Sequence, residues 1–185
     1  MSYSLENKVL FNKFLCNTFL GNFRKKGNRN ENLDSIELIV SPVCNLACKY
    51  CYLIRYSKKL YKEDIRNKET ILNNMSMVID WLIENSYTPE LEYFSGEALV
   101  QEVGLEGLDL LYEKYSKVSF ENRIKLISLP TNYTFLLDDE LTDRVVGYIN
   151  KFTELNIGFW LSASVDGKYC ESNRPILHKK IGKLS

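Results

Sequence analysis

The chain is 185 residues long and 45% hydrophobic, with 24 basic residues balancing 24 acidic ones. That length holds one cored domain and is short for two of ordinary size, and zero formal net charge supplies no overall field to gather nucleic acid or an anionic membrane. No run of about 18 apolar residues occurs, and Glu6 and Lys8 stand where a signal peptide needs an apolar core, so the sequence predicts a cytoplasmic protein.

In chain order, residues 9–23 carry Leu10, Phe11, Phe14, Leu15 and Phe19, a pattern that fits a short helix or an irregular cap, with Cys16 packed inside it. Residues 21–32 turn to Asn, Lys, Arg and Gly and predict an exposed loop. Residues 1–32 thus form a lead-in, 33–175 the core and 176–185 a polar tail. The first strand is expected at 35–40, ended by Pro42, which has no N–H to give a ladder. Lys58, Lys59 and Lys62 make a small basic patch that reads as a solvated face. Ile71, Leu72, Met75, Val78, Ile79 and Leu82 recur at helical spacing and predict a helix over 68–84.

A second strand is expected at 91–94, a helix at 105–118 with Gly104 and Gly107 blurring its start, and a third strand at 124–129 before Pro130. A helix over 138–155 follows, with Asp138, Asp139 and Glu140 at its positive end. The fourth strand is expected at 157–165. Strand and helix alternate, which predicts an α/β fold with a parallel sheet and right-handed crossovers. Ligands in such folds gather at the carboxyl ends of strands. Every chemically suggestive cluster falls there: the cysteine stretch, Ser95-Gly96-Glu97, Thr131-Asn132, and Ser164 with Asp166 and Gly167.

Ser41 to Tyr52 reads Ser-Pro-Val-Cys-Asn-Leu-Ala-Cys-Lys-Tyr-Cys-Tyr, placing Cys44, Cys48 and Cys51 in a C-x3-C-x2-C run. Five cysteines with three in one loop do not make a disulfide framework, and a reducing compartment favours a metal site. A 4Fe-4S cluster is usually held by four thiolates, so three on so short a loop leave one iron open to a small molecule. Zinc is the alternative, with a fourth ligand from Cys16, Cys170 or His178.

The run, with Tyr50 before and Tyr52 after its last cysteine, resembles the cluster loop of the radical S-adenosylmethionine superfamily, in its peptide and protein maturase (SPASM-like, anaerobic sulfatase-maturase-like) branch. In that family a 4Fe-4S cluster chelates S-adenosylmethionine and reductively cleaves it to a 5'-deoxyadenosyl radical. Ser95-Gly96-Glu97-Ala98 is similar to the family's Gly-Gly-Glu-Pro element, with Ser95 for the first Gly and Ala98 for Pro. Thr131-Asn132 is similar to its Thr-Asn-Gly, with Tyr133 for Gly, and Ser164-Val165-Asp166-Gly167 with downstream Arg174 is similar to its Ser-x-Asp-Gly segment and Arg.

The resemblance implies that Cys44, Cys48 and Cys51 hold the cluster and that Tyr50 packs by the adenine of S-adenosylmethionine. It implies that Glu97 meets the cofactor's amino group, and Ser164 and Arg174 its carboxylate. It also implies a partial TIM-type barrel of which this chain supplies only about four βα units, a truncated core. A peptide or protein substrate follows, with an electron donor such as ferredoxin or flavodoxin. The open edge at the fourth strand is expected to pair with a second copy or a partner chain. A non-catalytic iron–sulfur or peptide-binding module on the same scaffold, completed by a partner chain, and a small zinc protein remain the other two readings.

Overall fold

The computed structural model describes residues 33–40, 43–51, 67–94 and 96–175. The expected lead-in with Cys16, the loop at 21–32, Ser41, Pro42, Tyr52, the patch Lys58, Lys59 and Lys62, Ser95, and the tail with His178 lie outside the described residues.

Strands and helices alternate as the patterning predicts: β1 (Ser35–Ile39), α1 (Lys68–Glu84), β2 (Glu90–Phe94), α2 (Glu102–Tyr115), β3 (Leu126–Thr131), α3 (Asp139–Glu154), β4 (Gly158–Ala163) and a short α4 (Cys170–Asn173). The four strands form one parallel sheet in the order β1-β2-β3-β4. Among the described residues β1 and β4 each have one neighbour in it, so the sheet is open and barrel closure is not seen. None of the described helices is long and apolar enough to cross a membrane.

Alternation along the strands decides which face is covered. Leu38, Leu91, Tyr93, Ile127 and Leu129 are buried and join one cluster with the apolar stripes of α1, α2 and α3, each such side chain contributing about 1.5–3 kcal/mol by leaving water. The intervening positions Glu37, Glu92, Ser128 and Trp160 share a register row and are half-buried or exposed. Helix ends are capped as the sequence suggests: Asn67 accepts from the Thr70 amide and Asp138 from the Leu141 amide, both at 3.0 Å. Asp139 and Glu140 lie in the first turn of α3, where the helix dipole favours them.

Two boundaries differ from expectation for physical reasons. Helix α2 begins at Glu102 and ends at Tyr115, because Gly104 and Gly107 serve close packing instead of breaking the helix. A Cβ on Gly104 would lie 2.0 Å from the Ala98 carbonyl oxygen, and one on Gly107 2.7 Å from Tyr93 Oη. Strand β3 runs through Pro130 to Thr131. Its pairing with β2 has already ended at Ser128, while pairing with β4 continues to Thr131, so proline's missing N–H removes no bond to β2. The segment after β4, which sequence could not place, forms a 3-10 turn (Gly167–Tyr169) and α4.

Candidate functional site

The carboxyl ends of all four strands are tied together by side chains that the sequence places just beyond them. Cys44, Cys48 and Cys51, after β1, are free and half-buried thiols. A tight turn closes the loop, the Cys51 amide donating to the Cys48 carbonyl at 3.0 Å. Burial pushes the Cys44 thiol up to about 11; the Leu46 amide works against that, and the charges of Glu97, Cys48 and Cys51 add to it. Burial also raises Cys48, opposed by the Arg174 guanidinium beside it. Among the described residues no group of three or more His, Cys, Asp or Glu side chains is gathered closely enough to hold one metal ion, so the loop presents separate thiols and no closed single-ion cage.

Glu97, after β2, is 2% exposed and serves as a clamp. Its backbone amide donates to the Val43 carbonyl at 2.9 Å, reaching the cysteine loop. Its carboxylate accepts from the Thr131 hydroxyl at 2.7 Å and from the Asn132 amide at 2.6 Å, reaching the end of β3. Desolvation raises its pKa, and the bonds from Asn132, Thr131 and Leu99 pull it back down. One bond from β3 on each oxygen leaves acceptor capacity on both.

The Asn132 side chain continues the network. Its Oδ1 accepts from the Thr134 amide at 2.9 Å and the Thr134 hydroxyl at 2.7 Å. Its Nδ2 faces Asn45 Oδ1 at 2.9 Å and Cys44 Sγ at 3.7 Å. Asn45, 5% exposed, donates in turn to the Thr134 hydroxyl at 2.7 Å. Between Asn132 and Thr134 the chain turns at Tyr133, whose φ of 61° lies in the left-handed region, where glycine is at ease and tyrosine is strained. Its hydroxyl holds it by donating to the Leu161 carbonyl at 3.1 Å.

After β4 the chain folds back over the cysteine loop as a strap. The Ala47 amide donates to the Pro175 carbonyl at 2.8 Å and the Lys49 amide to the Asn173 carbonyl at 2.9 Å. The Tyr50 hydroxyl meets Asp166 Oδ1 and Oδ2 at 3.1 and 3.0 Å. Arg174 Nε lies 3.3 Å from Asp166 Oδ2, an ion pair rather than an aligned hydrogen bond, since that nitrogen has no hydrogen-bond partner. The guanidinium carbon sits 5.5 Å over the Tyr50 ring, a cation–π distance.

The residues predicted from sequence therefore fall into two groups. Cys44 and Glu97 share the network with Asn132, and Tyr50 and Arg174 share the strap beside Cys48. Ser164 is exposed, and its amide donates to the Thr131 carbonyl at 3.4 Å. Sequence reasoning gave no site role to Asn45, and took Thr134 only as a candidate cap of the turn after β3. A polar residue directly beside the first cysteine, and a hydroxyl two residues beyond an Asn, were the available signals.

The donor set fits an iron–sulfur group in its chemistry. Three free thiols stand on one loop, and two N–H groups already face the Cys44 sulfur.

No protein-family model matches the chain, and no solved structure does. The chain is similar to the radical SAM cyclopropyl synthase TigE of Paramaledivibacter caminithermalis, 27% identical over 132 residues that cover 66% of this chain and 26% of that protein. The chain spans about a quarter of the length of the curated relative it matches. That distant similarity points the chain toward the radical SAM superfamily.

Proposed function

We propose that this chain is a radical S-adenosylmethionine protein in which Cys44, Cys48 and Cys51 hold a 4Fe-4S cluster. The observation that carries the reading is the placement of three free thiols at the carboxyl end of β1, clamped through Val43 to buried Glu97 at the end of β2. The distant similarity to a radical SAM enzyme supports it. When bound, the cluster and S-adenosylmethionine would supply reductive generation of a 5'-deoxyadenosyl radical. The residues of this chain hold and orient: Glu97 has acceptor capacity for an ammonium, and Tyr50 and Arg174, engaged with each other and with Asp166 in this structure, would turn to an adenine and a carboxylate when the cofactor binds. The substrate class we propose is a peptide or protein, with a ferredoxin- or flavodoxin-type electron donor.

A second reading is a cluster-binding or peptide-binding module without catalysis, favoured by one observation. Among the described residues β4 pairs with β3 alone, leaving an edge suited to a completing chain. Anaerobic reconstitution with iron and sulfide, reduction with S-adenosylmethionine, and assay for 5'-deoxyadenosine separate the readings. Product that disappears in Cys48→Ala is expected for the enzyme. A bound cluster without product supports the module, and no cluster at all overturns the enzyme and the cluster-binding module and returns the cysteine loop to zinc or to packing.

A further inference from the structure

Among the described residues, Asn132 is the side chain whose amide faces a sulfur of the cysteine loop, and its orientation is fixed by its neighbours. The Thr134 backbone N–H can only donate, and it donates to Oδ1 at 2.9 Å, so the oxygen and nitrogen of the amide are assigned without ambiguity. The NH2 group is thereby turned toward two acceptors, Asn45 Oδ1 at 2.9 Å and Cys44 Sγ at 3.7 Å, one for each hydrogen. Buried Asn45 closes the ring by donating to the Thr134 hydroxyl at 2.7 Å, and buried Glu97 holds the Asn132 backbone amide at 2.6 Å. The Leu46 amide is a second donor to the same sulfur at 3.4 Å.

Donors aimed at a thiolate stabilise electron density on sulfur, and hydrogen bonds to the sulfurs are among the factors that set iron–sulfur potentials. We infer that Asn132 is a positioning residue for Cys44: locked by Thr134, Asn45 and Glu97, it donates an N–H to the Cys44 sulfur and raises the reduction potential of the group that the three cysteines hold. The inference rests on the cluster reading above. It makes Glu97 and Thr134 supports of a tuned sulfur, acting through Asn132.

The test uses the full chain, reconstituted anaerobically, with iron and sulfide counted per chain and the midpoint potential measured by mediated redox titration. Asn132→Ala removes the donor. Asn132→Ser also removes it but keeps a short oxygen for the Thr134 amide, so the turn survives if the alanine variant fails to fold. Both variants are expected to load as much iron as the parent chain and to be harder to reduce. The expected shift is about tenfold in the reduction equilibrium, or about 59 mV for one electron. Full loading with an unchanged potential overturns the inference, as does loss of iron from both variants with the sheet intact, which would make Asn132 a shaper of the loop only. A parent chain that takes up no iron and sulfide overturns the cluster reading and the inference with it.

Discussion

Tyr50 and Asp166, 116 positions apart in the chain, meet hydroxyl to carboxylate at 3.1 and 3.0 Å, joining the loop after the first strand to the loop after the last. Among the described residues β1 and β4 are the outer strands of the sheet, so the contact spans the four described strands at their carboxyl ends. Asp166 also holds Arg174, and the same segment accepts the Ala47 and Lys49 amides. Asp166→Ala is expected to leave the sheet intact and loosen the loop. The Tyr50 bond is exposed, but the Asp166–Arg174 pair has side chains only 20% and 12% exposed, so the loss is at least about 1 kcal/mol. Hydrogen exchange at the Ala47 and Lys49 amides should speed up roughly fivefold, with the β2 and β3 amides unchanged; equal change in both would assign Asp166 to global stability instead.

Gly104 and Gly147 make opposite predictions from the same substitution. A Cβ at Gly104 would press on the Ala98 backbone, in the turn that directly follows Glu97. Gly104→Ala is therefore expected to cost about 1–3 kcal/mol or more. At Gly147, inside α3, nothing lies within 4 Å of the added atom, so Gly147→Ala should stabilise by about 0.5–1 kcal/mol. Urea unfolding of the two variants checks the pair, and a stable Gly104→Ala chain would refute the close approach of α2 to the Glu97 turn.

Stability should fall in alkali. Tyr148 is pushed up to about 12 by desolvation, its hydroxyl donating to the Leu105 carbonyl at 3.0 Å, and burial also raises Tyr93 and Tyr115. Between an unfolded value of about 10 and the raised folded value, the folded chain keeps a proton that the unfolded chain has lost. Stability is then complete below about pH 10 and declines as pH rises toward 12. Urea midpoints at pH 8 and 11 should differ less in Tyr148→Phe than in the parent chain, and an identical difference would remove Tyr148 from the account.

At Tyr133 the usual order of helix-friendly small residues should invert. The φ of 61° costs a residue with a Cβ about 1–2 kcal/mol. Tyr133→Gly and Tyr133→Ala both lose the ring and the bond to Leu161, but only glycine sheds the strain. The glycine variant is expected to be the more stable by about 1 kcal/mol in thermal or urea unfolding, and alanine ranking above glycine would mean that the turn relaxes out of the left-handed region.

Most of the scaffold was legible because its signals are periodic. The stripe from Ile71 to Leu82 in α1 and the acidic start of α3 follow from spacing alone. The cysteine loop stood out in the sequence, since thiols at close spacing have few structural uses, and the structure places its three free thiols just beyond β1. Gly104 was misleading, because a glycine read along the chain signals a break, whereas here it marks an approach to Ala98 visible only in three dimensions. Pro130 misled similarly, as whether its missing N–H matters depends on where the β2 ladder stops. Asn45 and Thr134 were hidden for another reason: each is unremarkable locally, and their importance comes from partners about ninety positions away.

The strap also sets an order of events during synthesis. The cysteine loop is made early, but the carbonyls that receive its Ala47 and Lys49 amides belong to Pro175 and Asn173. A chain emerging from the ribosome can complete the sheet as far as β3 and still have a slack cysteine loop. Long-range closures of this kind come late in folding because their loop entropy must be met first. Under the cluster reading proposed above, iron delivered before residue 175 has emerged would meet three thiols on an unbraced segment and iron delivered afterwards a shaped site, so the last-made stretch of the described chain would govern when the earlier-made cysteine loop is ready to be loaded.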